Sequence, residues 1–368
     1  MKILHLVVSR HFAGSERIAC SLAFEQHKAG HEVMVSYRPH GEFQRLVATS
    51  QYAGVNFFRV SRYFFKRSIA KVFRDFKPDV VHYHLTTAVK KIPIITELIP
   101  TRHVSHLHIH KSSSVYRIAA DVGRLIAISK ATLDYYVSEV GVNSERIDLV
   151  YNGIDLNPAD VMTISKLDAK RFFLSEFDLS LDAPLVVLPG RLHEDKGHID
   201  LIRALPTVVE KFPKLRCVFA GGNNAKSNYR ELLLKEVSNL GLEKQVFFPG
   251  WRSDIVMLMR AADVQIVPSR VEPFGLAVIE AMALETPVVT TGIDGIKDIA
   301  KPGLNCLVYN VGDHVLLAEN LLCLLLDKGK NSEIVKYALK DVEERFSVKK
   351  FAEEVEAVYL NTEKFECR

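Results

Sequence analysis

Two Rossmann-like, doubly wound α/β domains facing a cleft are the fold class this sequence predicts, on three observations. Short β-rich runs alternate with helical ones from end to end, the pattern of parallel sheets with crossover helices. The chain's 368 residues exceed what one ordinary core organises and suit two domains. A turn, Tyr151-Asn-Gly-Ile-Asp155, opens a polar, strand-poor stretch over 156–183 that separates two such alternating halves.

In the first half, 3–8, 33–37 and 80–83 read as strands, with 125–129 and 147–150 as later strands of the same sheet. Residues 15–28 form an amphipathic helix closed by Gly30. In the second half the strands are 185–188, 217–220, 246–248, 264–267 and 287–291. Its helices are 199–211, with a kink expected at Pro206, then 229–240, 254–261, 276–284 and 314–326. The last amphipathic segment, 348–362, has no strand after it and is expected to cross back. The domains so drawn are 1–165 and 166–347, with 348–368 returning to the first. In open parallel sheets a ligand sits beyond the carboxyl ends of the strands, so the cleft is where chemistry is expected.

Composition is that of a globular protein, 48% hydrophobic and 25% charged, without low-complexity tracts or a fixed repeat. No run of 18 apolar residues exists to span a membrane. The opening MKILHLVVSR reads as a first strand rather than a signal peptide. Cys20, Cys217, Cys306, Cys323 and Cys367 are scattered, as reduced thiols of a cytoplasmic protein would be. The net charge of +4 is shared unevenly: residues 1–160 carry 21 basic against 14 acidic side chains, the remainder 27 against 30. The basic half is expected to meet something acidic.

The stretch RVEPFGLAVIEAMAL, 270–284, holds two glutamates eight positions apart. Strand 264–267 ends just before it, and Phe274-Gly275 is the bend that lets a helix begin. Backbone N–H groups freed at Phe274, Gly275 and Leu276 make an anion site, and Gly275 permits close backbone approach. Glu280, inside the helix among Val278, Ile279, Ala281 and Met282, is costly there without a partner. Two vicinal ribose hydroxyls would be such a partner. Glu272, on the loop, would face whatever hangs beyond the phosphates. The bland alternative is an ordinary helix residue and an ordinary loop residue.

A second constellation, Gly190-Arg-Leu-His-Glu-Asp-Lys-Gly197, follows strand 185–188. It is no P-loop, because its lysine precedes the second glycine. Arg191 and Lys196 at a strand's carboxyl end suit a diphosphate. Beside Glu194 and Asp195 they read equally as a solvated loop.

Together these motifs resemble glycosyltransferase family 4: RVEPFGLAVIEAMAL is similar to its Glu-x7-Glu segment and GRLHEDKG to its Gly-Arg-Leu-x-x-x-Lys-Gly segment. The NGID turn, the PGWRSD stretch and the AGSER loop with Gly14 are also similar, so the likeness runs from about residue 3 to 315. The resemblance implies a GT-B fold and retaining transfer from a nucleotide sugar, without cofactor or metal. Separately, no Asp-x-Asp occurs anywhere in the chain. By resemblance, Arg191 and Lys196 hold the donor diphosphate, Glu280 takes the ribose hydroxyls, and Glu272 orients the sugar with the backbone after it. The backbone near Trp251 and Arg252 frames the base. The chain departs from the family pattern at Ala13, Asp298 and Cys306.

TRHVSHLHIHKSS holds His103, His106, His108 and His110. On an extended segment His106, His108 and His110 share a face, which metal binding would need, but no carboxylate or cysteine is near and no metal is expected. The resemblance places His108, with His106 second, toward the donor sugar. Finally, 57–77 packs seven Lys/Arg and one Asp among seven Phe/Tyr. Phe65, Ile69, Val72, Phe73 and Phe76 line one helical face, with Arg62, Lys66, Lys71 and Arg74 elsewhere. Such a helix can lie on an anionic membrane or cover its own sheet; Phe57, Phe58 and Phe64, beyond the stripe, point to the membrane. No nucleic-acid module is present.

The expected function is transfer of a hexose-type sugar to a glycan or lipid-linked acceptor in envelope polysaccharide or lipopolysaccharide synthesis. The enzyme would be cytoplasmic, peripheral on the inner membrane face. The alternatives are a nucleotide-sugar epimerase of the same architecture and a non-catalytic sugar-nucleotide-binding protein.

Overall fold

A computed structural model describes residues 1–47, 49, 51–61, 64–98, 100–155, 162–223 and 227–365. Arg62 and Cys367 lie outside the described residues. The chain divides into two compact units, one of Met1–Asp155 with Phe346–Arg368, the other of Leu156–Arg345. The first boundary falls earlier than the 165/166 division drawn from composition, because the NGID turn itself ends the first unit.

The first unit holds β1 (Lys2–Val7), β2 (Glu32–Tyr37), β3 (Asn56–Arg59), β4 (Val80–His84), β5 (Arg102–Leu107), β6 (Arg124–Ala127) and β7 (Ile147–Leu149). They form one parallel sheet in the order β3-β2-β1-β4-β5-β6-β7. Strand alternation sends Leu4, Leu6, Val81, Tyr83 and Leu107 into one core, against Phe65, Ile69 and Phe73 of the helix Phe65–Phe76. The opposite face carries Val7, Val33 and Val35 against Ala19, Cys20 and Ala23 of the helix Gly14–Lys28. The last helix, Val348–Asn361, belongs to this unit: Gln26 Nε2 donates to the Tyr359 hydroxyl at 3.3 Å.

The second unit holds β8 (Leu185–Pro189), β9 (Arg216–Ala220), β10 (Val246–Gly250), β11 (Val264–Val267), β12 (Val288–Thr291) and β13 (Leu307–Tyr309). They are again all parallel, ordered β10-β9-β8-β11-β12-β13. These strands read as near-continuous apolar runs because helices cover both faces. Three strands escape the sequence pattern: β3 and β13, of four and three residues, and β5, whose six residues read only as an extended histidine-bearing segment. The helix Lys166–Ser175 lies in the stretch expected to be irregular, capped by Ser165 Oγ accepting from the Asp168 N–H. The helix Lys328–Arg345 also escaped notice, since it buries only Ile334, Ala338, Asp341 and Val342. No helix among the described residues is long and apolar enough to cross a membrane.

Candidate functional site

β8 and β11 are neighbours in the second sheet, and the connections turn opposite ways from them, so the loops after them flank the switch point. The loop after β8 bends at Gly190 and runs through a single 3-10 turn, Glu194–Lys196, to Gly197 at φ 65°. A Cβ on Gly197 would lie 1.8 Å from the Pro268 carbonyl oxygen, so only glycine lets this loop lean on the one after β11. That contact brings the two motifs together: Lys196 Nζ lies 2.6 Å from Glu272 Oε2, where the Ser269 hydroxyl also donates at 3.3 Å.

Neighbouring loops lock the pair. The Arg270 N–H donates to the Asp195 carbonyl at 2.6 Å, and Arg270 Nη2 meets buried Asp200 at 2.6 Å. The other Asp200 oxygen accepts from the Gly312 N–H, beyond β13, at 2.9 Å. The Glu272 N–H donates to Asp294 Oδ2 at 3.0 Å and its carbonyl accepts from the Gly295 N–H at 3.1 Å. Loops after β8, β11, β12 and β13 are thereby tied into one surface around Glu272. Sequence reasoning missed Asp200, Arg270 and Asp294. Only Asp200 carried a signal, an acid in the first turn of the helix His198–Lys211.

Gly275 takes φ +116° at the N-cap of the helix Leu276–Ala283, as the bend after Pro273 requires. Among the described residues the N–H groups of Gly275 and Leu276 have no hydrogen-bond acceptor, which suits an anion. Phe274 is buried beside them, and Glu280 lies half-buried in the second turn. Arg191 is exposed on the loop after β8. Two cations, a helix N-terminus and two carboxylates thus stand on the carboxyl ends of adjacent strands, an arrangement able to hold a diphosphate with polyol groups on both sides.

Trp251 and Arg252 follow β10, on the edge of the sheet and two strands from β8. Trp251 is 74% exposed. The Arg252 guanidinium does not join the site: it donates to Asp254 at 2.8 Å and to Glu176 at 2.9 Å, over the Phe173 ring. Those two carboxylates hold its pKa above the ordinary value. Asp298 and Cys306, where the chain departs from the family pattern, are a half-buried residue of the short helix Ile296–Ile299 and a buried thiol whose pKa burial pushes up to about 12.

Gly14 and His108 belong to the first unit. Gly14 starts its helix after β1, where the Glu16 carboxylate accepts from the Ala13 N–H at 3.3 Å. His108 follows β5 directly and is 8% exposed. It is one of five buried imidazoles on one face of β1, β4 and β5, with His5, His82, His84 and His106. His103 points to the other face, where the Tyr83 hydroxyl lies 2.8 Å from its Nδ1, and His110 lies 3.2 Å from the Thr132 hydroxyl. So the expected sharing of a face by His106 and His108 holds, without His110. Donor nitrogens of His5, His82 and His84, and of His84, His106 and His108, lie within 4.8 Å of one another, a spacing that could admit a metal ion. The aromatics of 57–77 behave differently from expectation. Phe57 and Phe58 pack into the two cores from β3, and Phe64 alone of the three is strongly exposed, at 67%.

The model of Glycosyltransferase Family 4 matches residues 12–158, and that of Glycosyl transferases group 1 matches 170–341. An uncharacterized glycosyltransferase of Methanocaldococcus jannaschii is 30% identical over 64% of this chain and 59% of its own. A D-inositol 3-phosphate glycosyltransferase of Mycolicibacterium smegmatis is 32% identical over 54% of this chain and 44% of its own. The chain therefore spans about half the length of these curated relatives. A glycosyltransferase of Rickettsia africae superposes with a TM-score of 0.85 at 17% identity, covering 98% of both chains. Anabaena HepE in complex with UDP-glucose superposes with a TM-score of 0.80 at 23% identity, covering 98% of this chain and 100% of its own. At those identities the likeness is one of fold.

Proposed function

This chain belongs to the GT-B glycosyltransferases of the family 4 type, and from that premise we propose that it moves a hexose-type sugar, with retention, from a nucleoside diphosphate donor to a glycan or lipid-linked acceptor. The observation that carries the reading is the Lys196–Glu272 contact at 2.6 Å, which joins the two motif loops at the switch point of the second sheet. Lys196 and Arg191 take the diphosphate and stabilise the charge that grows as the sugar–phosphate bond breaks. Glu272, held by Lys196 and Ser269, accepts sugar hydroxyls. Glu280 accepts the ribose hydroxyls, and His108 faces the donor sugar as a neutral imidazole, burial having lowered its pKa to about 3.

HepE's complex with UDP-glucose supports a nucleotide-sugar donor. The transferase names of the relatives favour transfer over epimerisation and over binding alone. We place the acceptor in envelope polysaccharide synthesis and the enzyme at the inner membrane face, on the strength of the exposed basic residues Lys66, Arg67, Lys71 and Arg74 beside Phe64. Among the described residues the carboxylate assigned to the sugar, Glu272, is engaged by Lys196 and Ser269 rather than left to attack, so in this reading the leaving phosphate itself assists the acceptor on the same face of the sugar. A covalent glycosyl-enzyme on Glu272 would refute that step.

The test is a thermal-shift titration with UDP, GDP, ADP and their sugars, on wild type and Glu280→Ala. One base should raise the melting temperature by several degrees, and Glu280→Ala should weaken its binding by about 10- to 100-fold, the value of one charge-assisted hydrogen bond. Equal affinity in the variant would remove Glu280 from the ribose, and no response to any nucleotide would remove the donor site.

A further inference from the structure

The five imidazoles are joined in an order that leaves little freedom. Gln26 Oε1 accepts from His5 Nε2 at 2.7 Å; His5 Nδ1 lies 3.0 Å from His84 Nε2, and His84 Nδ1 lies 3.1 Å from His108 Nε2. A second branch leaves the same amide: Gln26 Nε2 donates to the Tyr359 hydroxyl at 3.3 Å, which lies 2.6 Å from His82 Nδ1, and His82 Nε2 lies 3.2 Å from His106 Nδ1. Every ring is buried, and desolvation lowers the pKa of each, His5 to about 4 and His108 to about 3, so all five are neutral near pH 7.

A neutral imidazole has one N–H and one lone pair. Each ring-to-ring contact therefore needs a donor facing an acceptor, and fixing one proton fixes the next. With Gln26 Oε1 as acceptor, His5 carries its proton on Nε2, His84 on Nε2 and His108 on Nε2. The second branch is not fixed in the same way: the Tyr359 oxygen, which accepts from Gln26, can either donate to His82 Nδ1 or accept from it, and His106 Nε2 is buried without a partner. The three rings of the first branch thus hold the tautomer that a free histidine side chain favours, whereas reversing the Gln26 amide would force all five rings into the other. The outward end is His108 Nδ1, which has no partner among the described residues.

We propose that Gln26, His5 and His84 are positioning residues that fix the tautomer of His108, so that Nδ1 presents a lone pair to a hydroxyl of the donor sugar. The inference rests on the reading of His108 given above. The same nitrogens could instead hold a metal, for which three imidazoles suffice, but a metal would take the lone pairs that the ring-to-ring hydrogen bonds use.

Nitrogen-15 correlation spectra of the wild type should show His5, His84 and His108 protonated at Nε2 alone. His84→Phe removes the acceptor of the His108 Nε2–H; a substantial fraction of His108 should then carry its proton on Nδ1, with kcat/KM falling about tenfold. Gln26→Leu, two rings away from His108, should move the same signal in the same direction and covers the case in which His84→Phe does not fold. Nδ1 protonation in the wild type would overturn the proposal. So would an unchanged His108 tautomer in a folded variant, or stoichiometric zinc retained after chelation. His108→Ala separates the two readings: unchanged turnover there would remove His108 from the donor while leaving the tautomer order of the wild type as inferred.

Discussion

The two units share one winding. β1 and β4 hold in the first sheet the place that β8 and β11 hold in the second, yet the chemistry at these two switch points differs in kind. In the second unit the polar groups are charged and stand on loops beyond the strand ends, with Lys196 and Glu272 retaining side-chain exposures of 28% and 15%. In the first they are neutral rings set within the strands, and His5, His82 and His84 have no exposure at all. A charge must keep water or a ligand as company, so it belongs on the rim. An imidazole can replace an aliphatic side chain in a buried layer when its neighbours satisfy its nitrogens, as they do both nitrogens of His5, His82 and His84. One topology therefore supports either a rim of ions or an interior of hydrogen-bonded rings.

Acid should break this comparison most strongly. His5, His82, His84, His103, His106 and His108 all have lowered pKa values because burial disfavours their charged form; the second unit contributes His198, lowered to about 4 by the same cause. Between the unfolded value of 6.5 and a folded value near 4, the unfolded chain binds more protons. The stabilisation is complete above pH 6.5 and drains as pH falls toward 4. Each imidazole contributes a slope of up to ~1.4 kcal/mol per pH unit. Hydrogen exchange followed by unit between pH 7 and pH 4 should show the first unit opening before the second. Opening of both together, or of the second first, would contradict the neutral-ring account.

The rim should respond in activity rather than stability. Lys196→Ala should lower kcat/KM about 10²- to 10³-fold, as loss of a group stabilising transition-state charge does. Its part-exposed ion pair with Glu272 contributes ~0–1 kcal/mol to folding, so the melting temperature should hardly move. Tyr359→Phe is the converse. It leaves His82 Nδ1 and the Gln26 Nε2 donor unpaired in the interior and should cost about 1–3 kcal/mol in denaturant unfolding. Were Lys196→Ala to unfold the protein, or Tyr359→Phe to leave stability unchanged, the division between rim and interior would fail.

The same contrast explains what could be read from sequence. The rim is written in contiguous motifs, 190–197 and 270–284, because one loop and one loop-to-helix turn each supply their groups locally. Its supports, Asp200, Arg270 and Asp294, meet only through tertiary packing, and of them only Asp200, in the first turn of its helix, carries a local signal. The ring cluster is scattered over positions 5, 82, 84, 106 and 108, and its members become neighbours only when register pairs His5 with His82 and His84 with His106. Alternation separates His103 from His106 and His108, as the sequence pattern implies, but His110, expected on their face, turns instead to the Thr132 hydroxyl beyond the end of β5. Apolar runs locate most central strands of both sheets, whereas β5 is masked by its polar histidine and serine positions, and β3 and β13 are short strands at or near the sheet edges.

The smallest expected effect lies on the outside of the first unit. The helix Phe65–Phe76 buries Phe65, Ile69, Phe73 and Phe76 against its own sheet, so its apolar stripe is already occupied. Lys66 is paired with Glu97 at 2.8 Å and Arg74 with Asp75 at 3.0 Å, which reduces the charge free for lipid. What remains for a membrane is Phe64 with Arg67 and Lys71, and one phenylalanine inserted into lipid is worth about 1.5–3 kcal/mol. Phe64→Ser should therefore weaken flotation with anionic liposomes about tenfold and leave the melting temperature unchanged. Phe65→Ser, at a position 4% exposed, should instead unfold the helix from its sheet and cost about 3–5 kcal/mol. Flotation that is indifferent to Phe64→Ser, or to raised salt, would confine this helix to the role its buried face already fills.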